Sequence, residues 1–114
     1  MRDIKFRMFS KGRNKIISWE ELQKLHVHTV FSMMTPECRL MQYTGLKDKN
    51  GVEIYEGDIV KFRSQKHKKY ITGVVEYICA EFRISHDYGN PLISGDVYDE
   101  QVIGNIHQNP ELLS

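Results

Sequence analysis

The sequence predicts a mainly β protein: a small, strongly bent sheet or SH3-like barrel with an N-terminal hairpin and one short helix. Three observations carry that expectation. Short β-rich runs recur, above all Ile59-Val60-Lys61-Phe62 and Gly73-Val74-Val75-Glu76-Tyr77; Gly, Asn and Asp punctuate them; and only one stretch has helical spacing. The 114 residues suit a single domain spanning 1–114. Such a length buries roughly 65% of the unfolded surface without staples. A division near Pro36, into an N-terminal hairpin-plus-helix layer (1–36) and a barrel-like part (37–114), is compatible with one cooperative unit.

Ile4, Phe6 and Met8 alternate with Lys5 and Arg7, the period of a strand over residues 3–9 with one face buried and one in water. Ser10 to Asn14 supply a turn, and Lys15 to Trp19 return as the second strand of a hairpin. Ser18-x-x-Glu21 has capping-box spacing, and Trp19, Leu22 and Leu25, with His26 as a candidate fourth member, share one face of a helix of at most two turns. Val27 to Met34 read as extended and end at Thr35-Pro36, since the residue before proline disfavours helix. Arg39 to Tyr43 read as a strand, Thr44 to Gly51 as a polar loop closed by Asn50-Gly51, and Val52 to Tyr55 as the return. Gly57-Asp58 break the chain, with the aspartate placed to accept backbone N–H groups.

Ile59 to Phe62 then form a strand, and Arg63 to Lys69, with no apolar residue, form an exposed loop before a long strand from Tyr70 to Tyr77. Glu81 to Ser85 alternate cleanly as another strand. Loops follow at Asp87 to Pro91 and Ser94 to Asp96, then a closing strand at Gln101 to His107. Asn109-Pro110-Glu111 open a final helical turn.

Sixteen Lys and Arg against fifteen Asp and Glu give a net charge of +1, so any nucleic-acid role rests on a local patch rather than on the field of the whole molecule. No run approaches the roughly 18 consecutive apolar residues of a membrane helix. The N-terminus lacks the apolar core of a signal peptide, so no membrane and a cytoplasmic location are expected. Cys38 and Cys79 form no framework and are expected as reduced thiols.

The chain resembles the YopX family of bacteriophage and prophage proteins. The stretches that carry the resemblance are Ile4 to Arg7, Leu40 to Gly51, Glu53 to Val60, Gly73 to Tyr77, Val102 to Ile106 and Asn109 to Leu113. The resemblance implies a mainly β fold, a phage-borne gene and expression in a bacterial host cytoplasm. It implies no reaction, cofactor or site residue.

The chemistry in the sequence points to binding. Arg63, Lys66, His67, Lys68, Lys69 and Tyr70 form the densest basic cluster, with an aromatic at its edge, and suit contact with a partner or with nucleic acid by phosphate pairing and base stacking. A lysine-rich hairpin tip that keeps an exposed edge soluble explains the same residues. Arg2, Lys5, Arg7, Lys11, Arg13 and Lys15 make a second basic region or a solvated face. No phosphate-binding glycine loop and no zinc signature occurs. His26-x-His28, with Glu37 or Cys38, and His86-Asp87 are the only hints of a metal-dependent hydrolase, and ordinary turns and surface histidines explain them more simply. Glu53, Glu56 and Asp58 surround a tight turn, where capping and solvation are expected rather than acid-base chemistry. The leading expectation is a non-enzymatic binding or assembly module without a cofactor, acting on a host or phage protein, on nucleic acid or on a second copy of itself.

Overall fold

The computed structural model describes residues 4–25, 38–64, 69–78, 81–86 and 97–113. These residues form two four-stranded antiparallel sheets. The first sheet has the order β2-β1-β3-β4, made of β1 (Phe6–Ser10), β2 (Lys15–Ile17), β3 (Cys38–Lys47) and β4 (Glu53–Tyr55). The second has the order β7-β6-β5-β8, made of β5 (Asp58–Arg63), β6 (Tyr70–Ile78), β7 (Glu81–Ser85) and β8 (Tyr98–Asn105). The protein is mainly β with a strongly curled half-barrel sheet. One helix, α1 (Trp19–Gln23), is described, and a 3-10 turn at Pro110–Leu113 ends the described chain.

The predicted cap at the start of α1 is present. The Ser18 hydroxyl accepts the Glu21 N–H at 3.2 Å, and Leu22 is the helix residue that is buried. The hairpin β1-β2 forms as expected, with Met8 opposite Ile17. Its burial differs from simple alternation. Ile4 is exposed, Arg7 is largely covered and Phe9 is buried. Both faces of β1 are covered: Met8 packs with Ile17 and Leu22 on the α1 side, and Phe9 packs with Met41, Tyr43 and Tyr55 on the other.

A second difference lies in β3, which continues through Thr44-Gly45-Leu46-Lys47 where a polar loop was expected. Gly45 takes φ of +89°, and the register against β4 shifts between Tyr43 and Lys47. A glycine at positive φ lets a strand bend without ending. The Thr44 hydroxyl accepts from Leu46 N–H at 3.1 Å and donates to the Ile54 carbonyl at 2.8 Å, so the polar residues that suggested a loop hold the bend.

The loop proper is Asp48 to Val52. The Asp48 carboxylate accepts N–H groups of Asn50 at 2.8 Å and Val52 at 2.9 Å through Oδ1, and of Val102 in β8 at 2.9 Å through Oδ2. Burial works against its charge, but these three donors prevail and its pKa lies below the ordinary value.

The larger core lies on one face of the second sheet: Val60, Phe62, Ile71, Val75, Phe82 and Ile84, joined by Ile54 from β4. The two sheets meet at the Glu56-Gly57 turn. Gly57, at φ of +89°, donates its N–H to the Val75 carbonyl at 2.8 Å and accepts the Ile106 N–H at 2.9 Å. Its neighbour Asp58 is 1% exposed, accepts the Tyr55 N–H at 2.8 Å and forms an ion pair with Arg7 of β1. The expected turn aspartate is therefore also a buried charge. Burial raises its pKa to about 6, against the pull of Arg7 and the Tyr55 N–H.

Candidate functional site

The strand pairing of the second sheet builds the strongest candidate site on its outer face. Successive side chains of a strand alternate between faces. In β5, Val60 and Phe62 point into the core, whereas Lys61 and Arg63 point outward and are exposed. Arg63 is opposite Tyr70 on β6 and Tyr98 on β8, so these three residues form one row across the sheet. Tyr70 is 41% exposed and Tyr98 is 42% exposed.

Cations gather over the Tyr70 ring. The Arg63 guanidinium lies 4.5 Å from the ring centroid, Lys61 Nζ 4.8 Å and Lys49 Nζ 6.0 Å. The Tyr70 hydroxyl donates to Asp99 at 2.5 Å, and Lys49 pairs with the same carboxylate at 3.5 Å. The hydrogen bond to Asp99 raises the Tyr70 pKa. The same bond, with Lys49 and Arg63 nearby, lowers that of Asp99. Counting these groups, three cations and one carboxylate leave a local charge of 3 − 1 = +2.

A bulge places Asp99. Between Lys61 and Arg63 of β5 the partner strand advances from Gln101 to Tyr98, one residue more than regular pairing, and Asp99 has φ of +59°. A left-handed aspartate in a bulge re-aims its side chain. Here the carboxylate reaches the tyrosine hydroxyl of β6 across β5.

Of the residues singled out in the sequence, Arg63 and Tyr70 meet at this site, and Lys69 immediately precedes Tyr70 and is exposed. Lys66, His67 and Lys68 lie outside the described residues. Lys61, Lys49 and Asp99 escape sequence reading because register, the Asp48 loop and the bulge bring them together. The alternation Lys61, Phe62, Arg63 was the one available signal.

Several of the other candidates pack or pair within the fold. Lys5 pairs with Glu53 at 2.7 Å, Arg7 with Asp58, and Lys15 with Glu21 at 3.6 Å, so much of the N-terminal basic region is engaged in ion pairs. The His86 ring packs edge-on against Phe62 at 5.4 Å. Cys38 is a free, half-buried thiol beside Met8, Ile17 and Leu22. His26, His28, Glu37, Cys79 and Asp87 lie outside the described residues. Among the described residues no three His, Cys, Asp or Glu side chains converge to hold a metal ion, and no helix is long and apolar enough to cross a membrane.

A cleft of about 350 Å³ opens near the junction of the sheets, lined by Leu40, Glu56, Gly57, Tyr77 and His107 among others. His107 stacks on Phe9 at 4.9 Å, and burial, together with Arg39 and Arg7, lowers its pKa. Arg39, Glu56 and Glu76 bring both signs of charge to the lining.

Comparison with known proteins agrees with this architecture. The fold matches protein EF1440 from Enterococcus faecalis with a TM-score of 0.69 and 26% identity, covering 100% of both chains. It matches protein YopX from Bacillus subtilis with a TM-score of 0.66 and 18% identity, again over 100% of both chains. No curated protein matches the chain. The family model for YopX protein matches residues 5–114, a span that takes in both sheets and, Ile4 apart, every segment that carried the resemblance, and the chain belongs to the YopX family.

Proposed function

We propose that this chain is a non-enzymatic binding module, encoded by a bacteriophage or prophage and acting in the bacterial host cytoplasm, that engages nucleic acid through the outer face of its second sheet. The observation that carries this reading is the gathering of Arg63, Lys61 and Lys49 around the exposed Tyr70 ring. Cations of this kind pair with phosphates and release counterions, and aromatic rings take bases. The titratable groups elsewhere support binding over catalysis because they serve the fold: Asp58 holds Arg7, His107 lies on Phe9 and His86 on Phe62.

Titration of a labelled oligonucleotide at several salt concentrations tests the reading. Three phosphate contacts on a single strand predict a slope of log affinity against log salt of about −2. Substituting Lys61 and Arg63 together by Ala should reduce the slope and weaken binding to all sequences alike. Absence of binding at low salt would remove the proposal.

The cleft favours a second reading, assembly with a protein or with another copy of the chain, because exposed Leu40 and Tyr77 line it beside charges of both signs. Light scattering that returns a defined oligomer, lost on changing Leu40→Glu, would support it; a monomer at all concentrations would end the self-assembly form.

A further inference from the structure

The row Tyr70, Arg63, Tyr98 is more than a charged patch, and its geometry points to the kind of nucleic acid it accepts. We propose that this row is a stacking platform that selects unpaired, single-stranded nucleic acid over duplex, an inference that rests on the nucleic-acid reading above.

Three features support it. First, both tyrosines stand on the outer face of the sheet with over two-fifths of their surface open, at 41% and 42%. They are carried by β6 and β8, which flank β5, so their backbones lie about 10 Å apart, two strand spacings. Second, the residue between them is an arginine whose guanidinium already lies 4.5 Å from the Tyr70 ring centroid. A guanidinium plane stacks on bases as aromatic rings do. The row therefore offers two part-exposed tyrosine rings to the faces of bases, with the Arg63 guanidinium lying over the Tyr70 ring.

Third, the flat groups are held in place. Tyr70 is tied through its hydroxyl to Asp99, and Asp99 to Lys49, whose backbone N–H bonds the Glu100 carbonyl at 2.9 Å. Side chains fixed before the ligand arrives lose less freedom on binding. Bases inside a duplex present their faces to one another and leave only edges and phosphates to a protein, so a platform of π-faces gains little from duplex. Lys61 and Lys49, beside the row, supply phosphate contacts, and the charge of Arg63 adds a third.

The experiment measures fluorescence anisotropy with a labelled single-stranded oligonucleotide, a hairpin duplex with the same number of phosphates, and heparin as a polyanion without bases. The single strand is expected to bind at least tenfold more tightly than the duplex. Tyr70→Ala should lower single-strand affinity by roughly tenfold and leave heparin binding within about twofold, whereas Tyr70→Phe, which retains the ring and loses only its tie to Asp99, should lower single-strand affinity by no more than about threefold. Tyr98→Ala should act in the same direction as Tyr70→Ala. Both tyrosines are exposed, and thermal melts of each variant verify that the fold persists. Equal affinity for single strand and duplex, with Tyr70→Ala neutral, overturns the platform and leaves the nucleic-acid reading standing. Failure of every polyanion to bind at low salt overturns both.

Discussion

Arg7 of β1 and the buried Asp58 of β5 form a largely covered ion pair across 51 residues of sequence, and the Arg7 guanidinium also lies 4.4 Å from the Tyr55 ring centroid. The pair ties the first sheet to the second. Removing one member of such a pair leaves the other charge without its partner, which costs about 3–5 kcal/mol, whereas replacing both by apolar groups costs far less. Arg7→Met alone should therefore destabilise strongly, and Arg7→Met with Asp58→Leu should recover part of the loss. A double-mutant cycle by urea unfolding should give a coupling of more than about 1 kcal/mol. Additive effects would show that the pair is not coupled.

The same carboxylate predicts an unusual pH dependence. Asp58 has a folded pKa of about 6 against an unfolded value of 3.8. Between these values the folded chain retains a proton that the unfolded chain has lost, so this group makes stability fall as pH rises from about 4 to 6 and leaves it level above. The loss is of the order of 2–3 kcal/mol. Chemical melts at pH 4.5 and 7 should show it, and the double variant without Arg7 and Asp58 should not.

Asp48 acts with the opposite sign. Its folded pKa lies below the unfolded 3.8, so its contribution is present above that value and is lost as pH falls through the lower folded value. Asp48→Ala removes the acceptor for three backbone N–H groups and should cost about 2–3 kcal/mol at neutral pH. Hydrogen exchange at Val102 should accelerate in that variant.

Gly57→Ala should destabilise by about 1–3 kcal/mol. Its φ of +89° disfavours any side chain, and a Cβ would stand 3.1 Å from Met41 Cε. A melting temperature equal to the parent's would contradict this account of the junction.

Asp99→Asn retains an acceptor for the Tyr70 hydroxyl and a residue that tolerates left-handed φ, while the local charge rises from +2 to +3. Nucleic-acid affinity should rise roughly two- to fivefold at low salt, the difference fading at high salt. Unchanged affinity would place the bound ligand elsewhere on the molecule.

Local patterns were the legible part of this fold. The Ser18 cap, the β7 strand Glu81–Ser85 and the turn at Gly57 each depend on neighbours within a few residues, and each is where the sequence places it. What escaped depends on register or on distant partners. Arg7 reads as a solvated cation because nothing near it in sequence announces Asp58. Thr44 to Lys47 read as a loop because a bent strand and a loop share the same residues. At the candidate site, the ends of the hairpin, Arg63 and Tyr70, were visible, whereas Asp99 required a bulge in a strand 29 residues away.

That bulge and the Asp48 loop also bear on how β8 meets other chains. As the outer strand of its sheet, β8 would present unpaired N–H and C=O groups to any passing strand. The Val102 N–H is already taken by Asp48 and the Glu100 carbonyl by the Lys49 N–H. The irregular backbone at Asp99 interrupts the ladder just before them. This border of the sheet is thereby guarded against strand addition and the aggregation it seeds, while the outer face beside it stays open to solvent.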